Sequence, residues 1–530
     1  MALPTDRIAD DRWQDIRITP DDLQSLSSHL FETEVPLTID GLAQVLIKTR
    51  LEHVLADMKA KQENLGKVYF PKDKYLPGDQ IAFPQFSWAA GQVLSSKAGV
   101  NPEVGNFSVI TVQFEDGSQH QFASEVEDHP LNRANYQANL NETEYTDSVM
   151  RAYGPEIRSK LRSALDKQTD LVRIGSTWFP KSLLIDIGQG HLNLAEALLD
   201  AQEGGPMGTL DLLSQLELNI DNPENQKLME FSLNYALQED PRFEEVGTTG
   251  VISWFLKRLE PMSVLEIPLY LRLSPAAEIP SDIPEATEKM IAGLNDEFGF
   301  VESDSMPENR ITETSVVLNF PHWRTGSLPL TPLTRQVVPS ALETEHVKIS
   351  LLDELSGESI SAWVVRPHHY VYGLRDWYLE QNLIPGSIIE LTATNDPGVI
   401  KIKPQKKRSN KEWIKTVLVG ADGGLVIALL RQSIYAGFHD RMAIAIPDVN
   451  AIDALWTERQ SKTINLKTDV YRMMAELSKL NNQRHVHFID LYAALNVIRR
   501  TSPYGLLNVL NNNADFIYVG DHYYHLSEQG

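Results

Sequence analysis

Asn513-Ala514-Asp515-Phe516-Ile517-Tyr518-Val519-Gly520, closing on Tyr524-His525-Leu526, is a short alternating hairpin that ends on an aromatic residue. Upstream lie two apolar stretches with helical spacing, Val470-Tyr471-Arg472-Met473-Met474-Ala475-Glu476-Leu477 and His487-Phe488-Ile489-Asp490-Leu491-Tyr492-Ala493-Ala494-Leu495. The same order occurs earlier in the chain. Gly190-His191-Leu192-Asn193-Leu194-Ala195-Glu196-Ala197-Leu198-Leu199 and Leu210-Asp211-Leu212-Leu213 precede Asp240-Pro241-Arg242-Phe243-Glu244-Glu245-Val246-Gly247 and Trp254-Phe255-Leu256.

Helices at 3.6-residue spacing followed by a hairpin of period two describe a winged helix. The phenylalanines Phe243 and Phe516 plug the helical core, and Gly247 and Gly520 permit the tight turn into the wing. This pattern resembles the HARE-HTH winged helix, the type at the N-terminus of the bacterial RNA polymerase delta subunit and in restriction and chromatin proteins. The resemblance implies transcription regulation and partners that are DNA or a protein complex on DNA, with RNA polymerase among the candidates. It places recognition on the second or third helix and the wing. The helix at 487–500 ends in Arg499-Arg500, whereas its expected counterpart at 226–238 carries Lys227, Glu230 and Gln238, a poor set for gripping phosphate.

With 530 residues the chain is too long for one core, and its 42% hydrophobic and 23% charged content is globular. No cysteine is present, which excludes disulfides, thiolate metal sites and thiol nucleophiles. A net charge of −24 argues against coating a polyanion through bulk electrostatics, so any nucleic-acid contact has to be local. No apolar run reaches the length of a membrane span, and the acidic N-terminus is the reverse of a signal peptide. The expectation is a cytoplasmic protein without a membrane partner.

These signals predict an α+β multidomain chain in which winged-helix modules alternate with small β-barrels. Residues 1–65 form a helical module resembling a degenerate winged helix with no wing after it. Residues 66–130 form a small SH3-like or Tudor-like barrel, entered at Pro77-Gly78-Asp79 and turned at Asp116-Gly117. Residues 146–187 are a connecting helix and strand pair, 188–260 a winged helix, and 273–313 a linker around a short helix, Glu285 to Leu294. Residues 314–404 alternate as strands around the helix Gly373-Leu374-Arg375-Asp376-Trp377-Tyr378 and the re-entry Asn382-Leu383-Ile384-Pro385-Gly386-Ser387. That order resembles the plant-type pseudobarrel DNA-binding domain. Residues 405–465 are a β-rich connection and 466–530 the last winged helix.

The candidate nucleic-acid-binding residues are the cations Lys401, Lys403, Lys406, Lys407, Arg408, Lys411 and Lys415 with Trp413, joined by Arg499 and Arg500. Lysines alternating along a strand also protect sheet edges, and that alternative stays open. His485, His487, Asp521, His522 and His525 have ligand chemistry, but nothing in the sequence makes them converge, so no metal or other cofactor is expected. Phosphate-loop, dinucleotide, zincin and nucleophile-elbow motifs are missing, and no catalytic residues are assigned. The function expected is a non-enzymatic DNA-binding or transcription-complex-associated regulator. A protein-only scaffold and a metal-dependent nuclease are the rivals.

Overall fold

The computed structural model describes residues 13–527 apart from 14, 65–66, 87–88, 101–105, 134–141, 219–222, 274–282, 299–310, 342–343, 421–423 and 462–463. The chain is a mixture of helices and strands with six sheets among the described residues. It divides into two compact units, Met1–Leu184 and Ile185–Gly530.

In the first unit Thr19 opens helix α1 (Pro20–Thr33) with a capping box: Asp22 N donates to its Oγ1 at 3.2 Å, and its own N donates to Asp22 Oδ2 at 2.8 Å. Leu26 and Leu30 face inward four residues apart. Strand β1 (Leu37–Thr38) leads directly into α2 (Ile39–Asn64). The chain then builds a five-stranded sheet from β2 (Lys67–Val68), β3 (Gln80–Phe83), β4 (Ala89–Ala98), β5 (Ser108–Phe114) and β6 (Gln119–Ser124), neighbours in chain order. Past β6, Val126 N donates to Pro71 O at 2.8 Å, which curls the far edge back toward the start. Tyr69, Phe83 and Val112 fill the interior.

After this sheet come α3 (Glu142–Leu165), β7 (Leu171–Ile174) and β8 (Thr177–Pro180). They do not serve as a connection. Val149, Ile157, Leu161 and Leu165 of α3 share one core with Leu26, Leu30, Leu42 and Leu46, and β8 pairs with both β1 and β7. The helical module at 1–65 therefore has its third helix and hairpin on the far side of the inserted sheet.

The second unit begins with the same order: α4 (Gln189–Ala201), β9 (Met207–Gly208), α5 (Thr209–Gln215), α6 (Pro223–Glu239), β10 (Phe243–Glu245) and β11 (Ser253–Leu256). A short helix, α7 (Glu285–Leu294), lies within the stretch read as a linker. Within it Ile291, Leu294, Asp296 and Glu297 are buried, and Ile291 and Leu294 belong to the largest core, while 274–282 and 299–310 lie outside the described residues.

A seven-stranded sheet follows, built from β12 (Glu313–Val317), β13 (Ser327–Pro329), β14 (His346–Asp353), β15 (Ser359–Val365), β16 (Tyr370–Tyr372), β17 (Ile388–Ala393) and β18 (Val399–Pro404). Its order is β12-β17-β18-β14-β15-β16-β13, antiparallel except for β14 beside β18. Helices α8 (Phe320–Thr325) and α9 (Arg375–Glu380) pack among these strands. A long hairpin, β19 (Lys406–Val419) and β20 (Leu425–Ala436), pairs with the short β21 (Ile444–Ala445).

Helix α10 (Val449–Gln460) then leads to a third copy of the helical order: α11 (Leu466–Ser478), β22 (Val486–His487), α12 (Phe488–Ile498), α13 (Pro503–Asn511), β23 (Phe516–Gly520) and β24 (Tyr523–Leu526). Each copy has a three-stranded sheet in which the last strand lies between the first and the second. The register repeats as well: Leu37 faces Trp178, Met207 faces Trp254 and Val486 faces Tyr524. All three aromatics are buried. The hairpin turns differ in how they are made. Asp521 and His522 both have positive φ, 47° and 61°, a two-residue turn matched to strand twist. Gly247 is needed for space, because a Cβ there would meet the Val251 carbonyl oxygen at 1.9 Å.

Candidate nucleic-acid interface

The cationic run lies on two strands with different surroundings. Lys401 and Lys403 are on β18, inside the seven-stranded sheet, facing Thr392 and Glu390 of β17. Lys403 Nζ reaches Glu354 Oε2 at 2.6 Å and Glu390 Oε2 at 3.8 Å, so its charge is met within the protein. Lys401 is half-buried.

On β19 the backbone shifts register between Lys406 and Asn410, and such a bulge re-aims the side chains around it. Lys406 and Arg408 are exposed, while Lys407 turns inward, its Nζ 3.9 Å from the Phe438 ring centre and 3.1 Å from Glu412 Oε1. Beyond the bulge the pairing is regular. Lys411 lies opposite Ser433 and Trp413 opposite Arg431, and the two-residue period places all four on one face. Trp413 is 65% exposed. Lys406, Arg408, Lys411 and Arg431 are exposed, and none has an ion pair among the described residues.

Further along the same face the hairpin enters the interior. Lys415 is buried, donating to the Arg441 carbonyl at 2.5 Å and to the Asp490 carboxylate. Burial holds its pKa below the ordinary lysine value despite Asp490. Arg441 also binds Asp490, at 2.9 Å, and its Nη2 donates to the Tyr523 hydroxyl at 2.9 Å. A hollow of about 460 Å³ opens here, lined by Trp413, Lys415, Leu429, Arg441, His485 and Asp490. Lys415 is corrected from a phosphate ligand to a bridge between the hairpin and α12.

Arg499 and Arg500 are corrected too. Arg499 Nη1 lies 3.1 Å from Asp469 Oδ2, and Arg459 meets the same carboxylate. Arg500 is fully buried, between Asp296 and Glu297, with Nη1 2.8 Å from Asn496 Oδ1. His322 completes the group, with Nε2 3.1 Å from Glu297 Oε1 and Nδ1 2.8 Å from Ser327 Oγ. Burial would raise Glu297, but Arg500 and His322 outweigh it and keep the carboxyl well below its usual range. Burial and the neighbouring Glu297 drive Asp296 well upward, and burial lowers His322. The members of the cluster are all buried and meet one another in the interior, so Arg500 presents no charge outward.

The helix at 487–500 has a different counterpart from the one expected. By strand register α12 corresponds to α5 and to α2, while the counterpart of α6 is α13. Ten of the eleven residues of α12 are buried, which makes it a core helix. Among the third helices, α3 carries the exposed cations Arg151, Lys160 and Arg162, while α13 is largely buried. The ring pairs His485–His525 and His487–His522 lie 5.8 Å and 6.1 Å apart between centres. Burial, reinforced by Arg441, lowers His487 to about 4.

Arg431 is the residue that sequence reading missed. It stands alone in an apolar strand, and only pairing the hairpin around Gly420 and Gly424 brings it opposite Trp413. Compared with family models, with curated proteins and with solved structures, the chain matches none.

Proposed function

We propose that this protein binds nucleic acid, as a DNA-binding or transcription-complex-associated protein, through the outer part of the β19–β20 hairpin. The observation that carries the reading is the patch of Lys411, Trp413 and Arg431 on one face of a two-stranded ribbon, flanked by Lys406 and Arg408. A β-ribbon fits the major groove, its cations meet phosphates, and an exposed indole stacks on an unpaired base. On a chain of net charge −24 these cations confine contact with a polyanion to a small area, while the remaining surface repels it.

The three helical copies are, in this reading, winged helices, supported by their shared element order and strand register. The three copies serve as packing or docking modules, and contact with the polyanion is left to the hairpin. The seven strands and three short helices between Glu313 and Pro404 are in keeping with a pseudobarrel.

Fluorescence anisotropy with single- and double-stranded oligonucleotides tests the proposal. Binding should weaken steeply between roughly 50 and 200 mM salt. Replacing Lys406, Arg408, Lys411 and Arg431 together by Glu should abolish it. Wild-type protein that shows no salt-dependent binding, or a quadruple variant that keeps it, would remove the hairpin from this role.

Protein docking is the second reading, and one feature favours it. The five-stranded sheet has a hollow of about 340 Å³ lined by Phe86, Phe114, Glu115, Asp116 and His120, with Phe86 54% exposed. An aromatic floor with an acidic rim suits a cationic side chain of a partner.

A further inference from the structure

In the second unit, three side chains far apart in sequence meet beneath the second helical copy. Glu244 lies on β10, Glu260 follows β11 after a short 3-10 turn, and His346 opens β14. One ligand atom from each lies within 4.8 Å of the other two. His346 Nδ1 is 2.7 Å from Glu244 Oε1 and 3.4 Å from Glu260 Oε2.

A single Nδ1–H cannot satisfy both carboxylates, and the shorter contact takes it. The Glu260 side chain is 0% exposed, and neither of its oxygens has a hydrogen-bond partner. A buried carboxylate is costly unless it is paired or holds a metal. Two basic groups lie near, and neither resolves this. Lys257, 54% exposed, approaches Glu244 Oε2 at 3.4 Å. The Lys348 ammonium sits over the Trp363 ring at 4.3 Å.

We propose that Glu244, Glu260 and His346 bind one divalent metal ion of the zinc class, which fastens the second helical copy to strand β14. One imidazole nitrogen and two carboxylate oxygens form a ligand set that suits zinc, with a fourth position left for water. With bonds of about 2.0 Å a tetrahedral centre spaces its donors by about 3.3 Å, close to the separations around Nδ1. The neighbouring contacts already hold the frame: Lys348 N donates to Val246 O at 2.9 Å and Thr249 N to Ser340 O at 2.9 Å. Metal entry displaces the Nδ1 proton to solvent, so one proton leaves for each ion bound. Because the ion and the proton compete for Nδ1, uptake strengthens as pH rises.

The test is zinc titration of metal-stripped, full-length protein, followed by calorimetry in two buffers of different protonation enthalpy and by elemental analysis after dialysis. The result expected is one zinc per chain with release of one proton, lost in His346→Gln and Glu260→Gln and kept in His525→Gln. The melting temperature of wild-type protein should rise with zinc concentration, a readout that stands even if a variant does not fold. No uptake and no thermal shift would reduce the trio to an ion pair and overturn the proposal. Uptake retained by folded His346→Gln, or lost instead in His525→Gln, would overturn it as well.

Discussion

Trp413 and Arg431 face each other across the long hairpin, on strands whose deeper residues, Val417 and Ile427, belong to the main core. A surface pair is thus mounted on a rigid base, so its loss should change binding without changing the fold. Trp413→Ala is expected to weaken single-stranded oligonucleotide binding by about 1–3 kcal/mol, with an unchanged melting temperature. Quenching of tryptophan fluorescence on titration, absent from the variant, checks this.

Removing Arg500 should act on folding. Removing one partner of a buried ion pair strands the other, at a cost of about 3–5 kcal/mol. Arg500→Ala and Glu297→Ala should each lower the denaturant midpoint of the second unit. A binding defect in Arg500 variants that keep wild-type stability would contradict the placement of this residue.

Two histidines predict opposite pH limbs in metal-free protein. For His346, burial opposes the charged form, but the hydrogen bond to Glu244 and the ion pair with Glu260 outweigh it and raise the imidazole from 6.5 to about 9. Its contribution is complete below the unfolded value of 6.5 and disappears as pH rises through about 9. For His487, lowered to about 4, the contribution is present above 6.5 and disappears as pH falls toward about 4. Denaturant titrations across pH should show both limbs. His346→Gln should flatten the alkaline one, and zinc should reverse its slope.

The matched aromatics allow the two units to be separated in a melt. Trp178→Ala and Trp254→Ala each empty a packed core position, which costs about 3–5 kcal/mol. Trp178→Ala should lower the transition of the first unit alone and Trp254→Ala that of the second, as read by calorimetry. A common shift in both transitions would mean that the units unfold together.

The helical copies beginning near 188 and 466 were legible because each is contiguous, with its helical period and closing hairpin in one stretch of sequence. The first copy was not, because α3, β7 and β8 follow the inserted sheet and read as a connection. In the candidate site the cationic run was visible as composition, but its sorting was not. Glu354, Asp490 and Asp296, which occupy Lys403, Lys415 and Arg500, come from distant segments. The triad was hidden in a similar way: Glu244-Glu245 reads as a chance acidic pair until Glu260 and His346 are brought beside it.

The placement of the five-stranded sheet between α2 and α3 governs how the first unit can assemble. During synthesis the sheet emerges whole before the third helix exists, and once folded it shortens the loose chain between the two helices, which lowers the entropy lost when they dock. The inserted body acts as a brace for its host, and circular permutants opened within it should refold more slowly than those opened elsewhere.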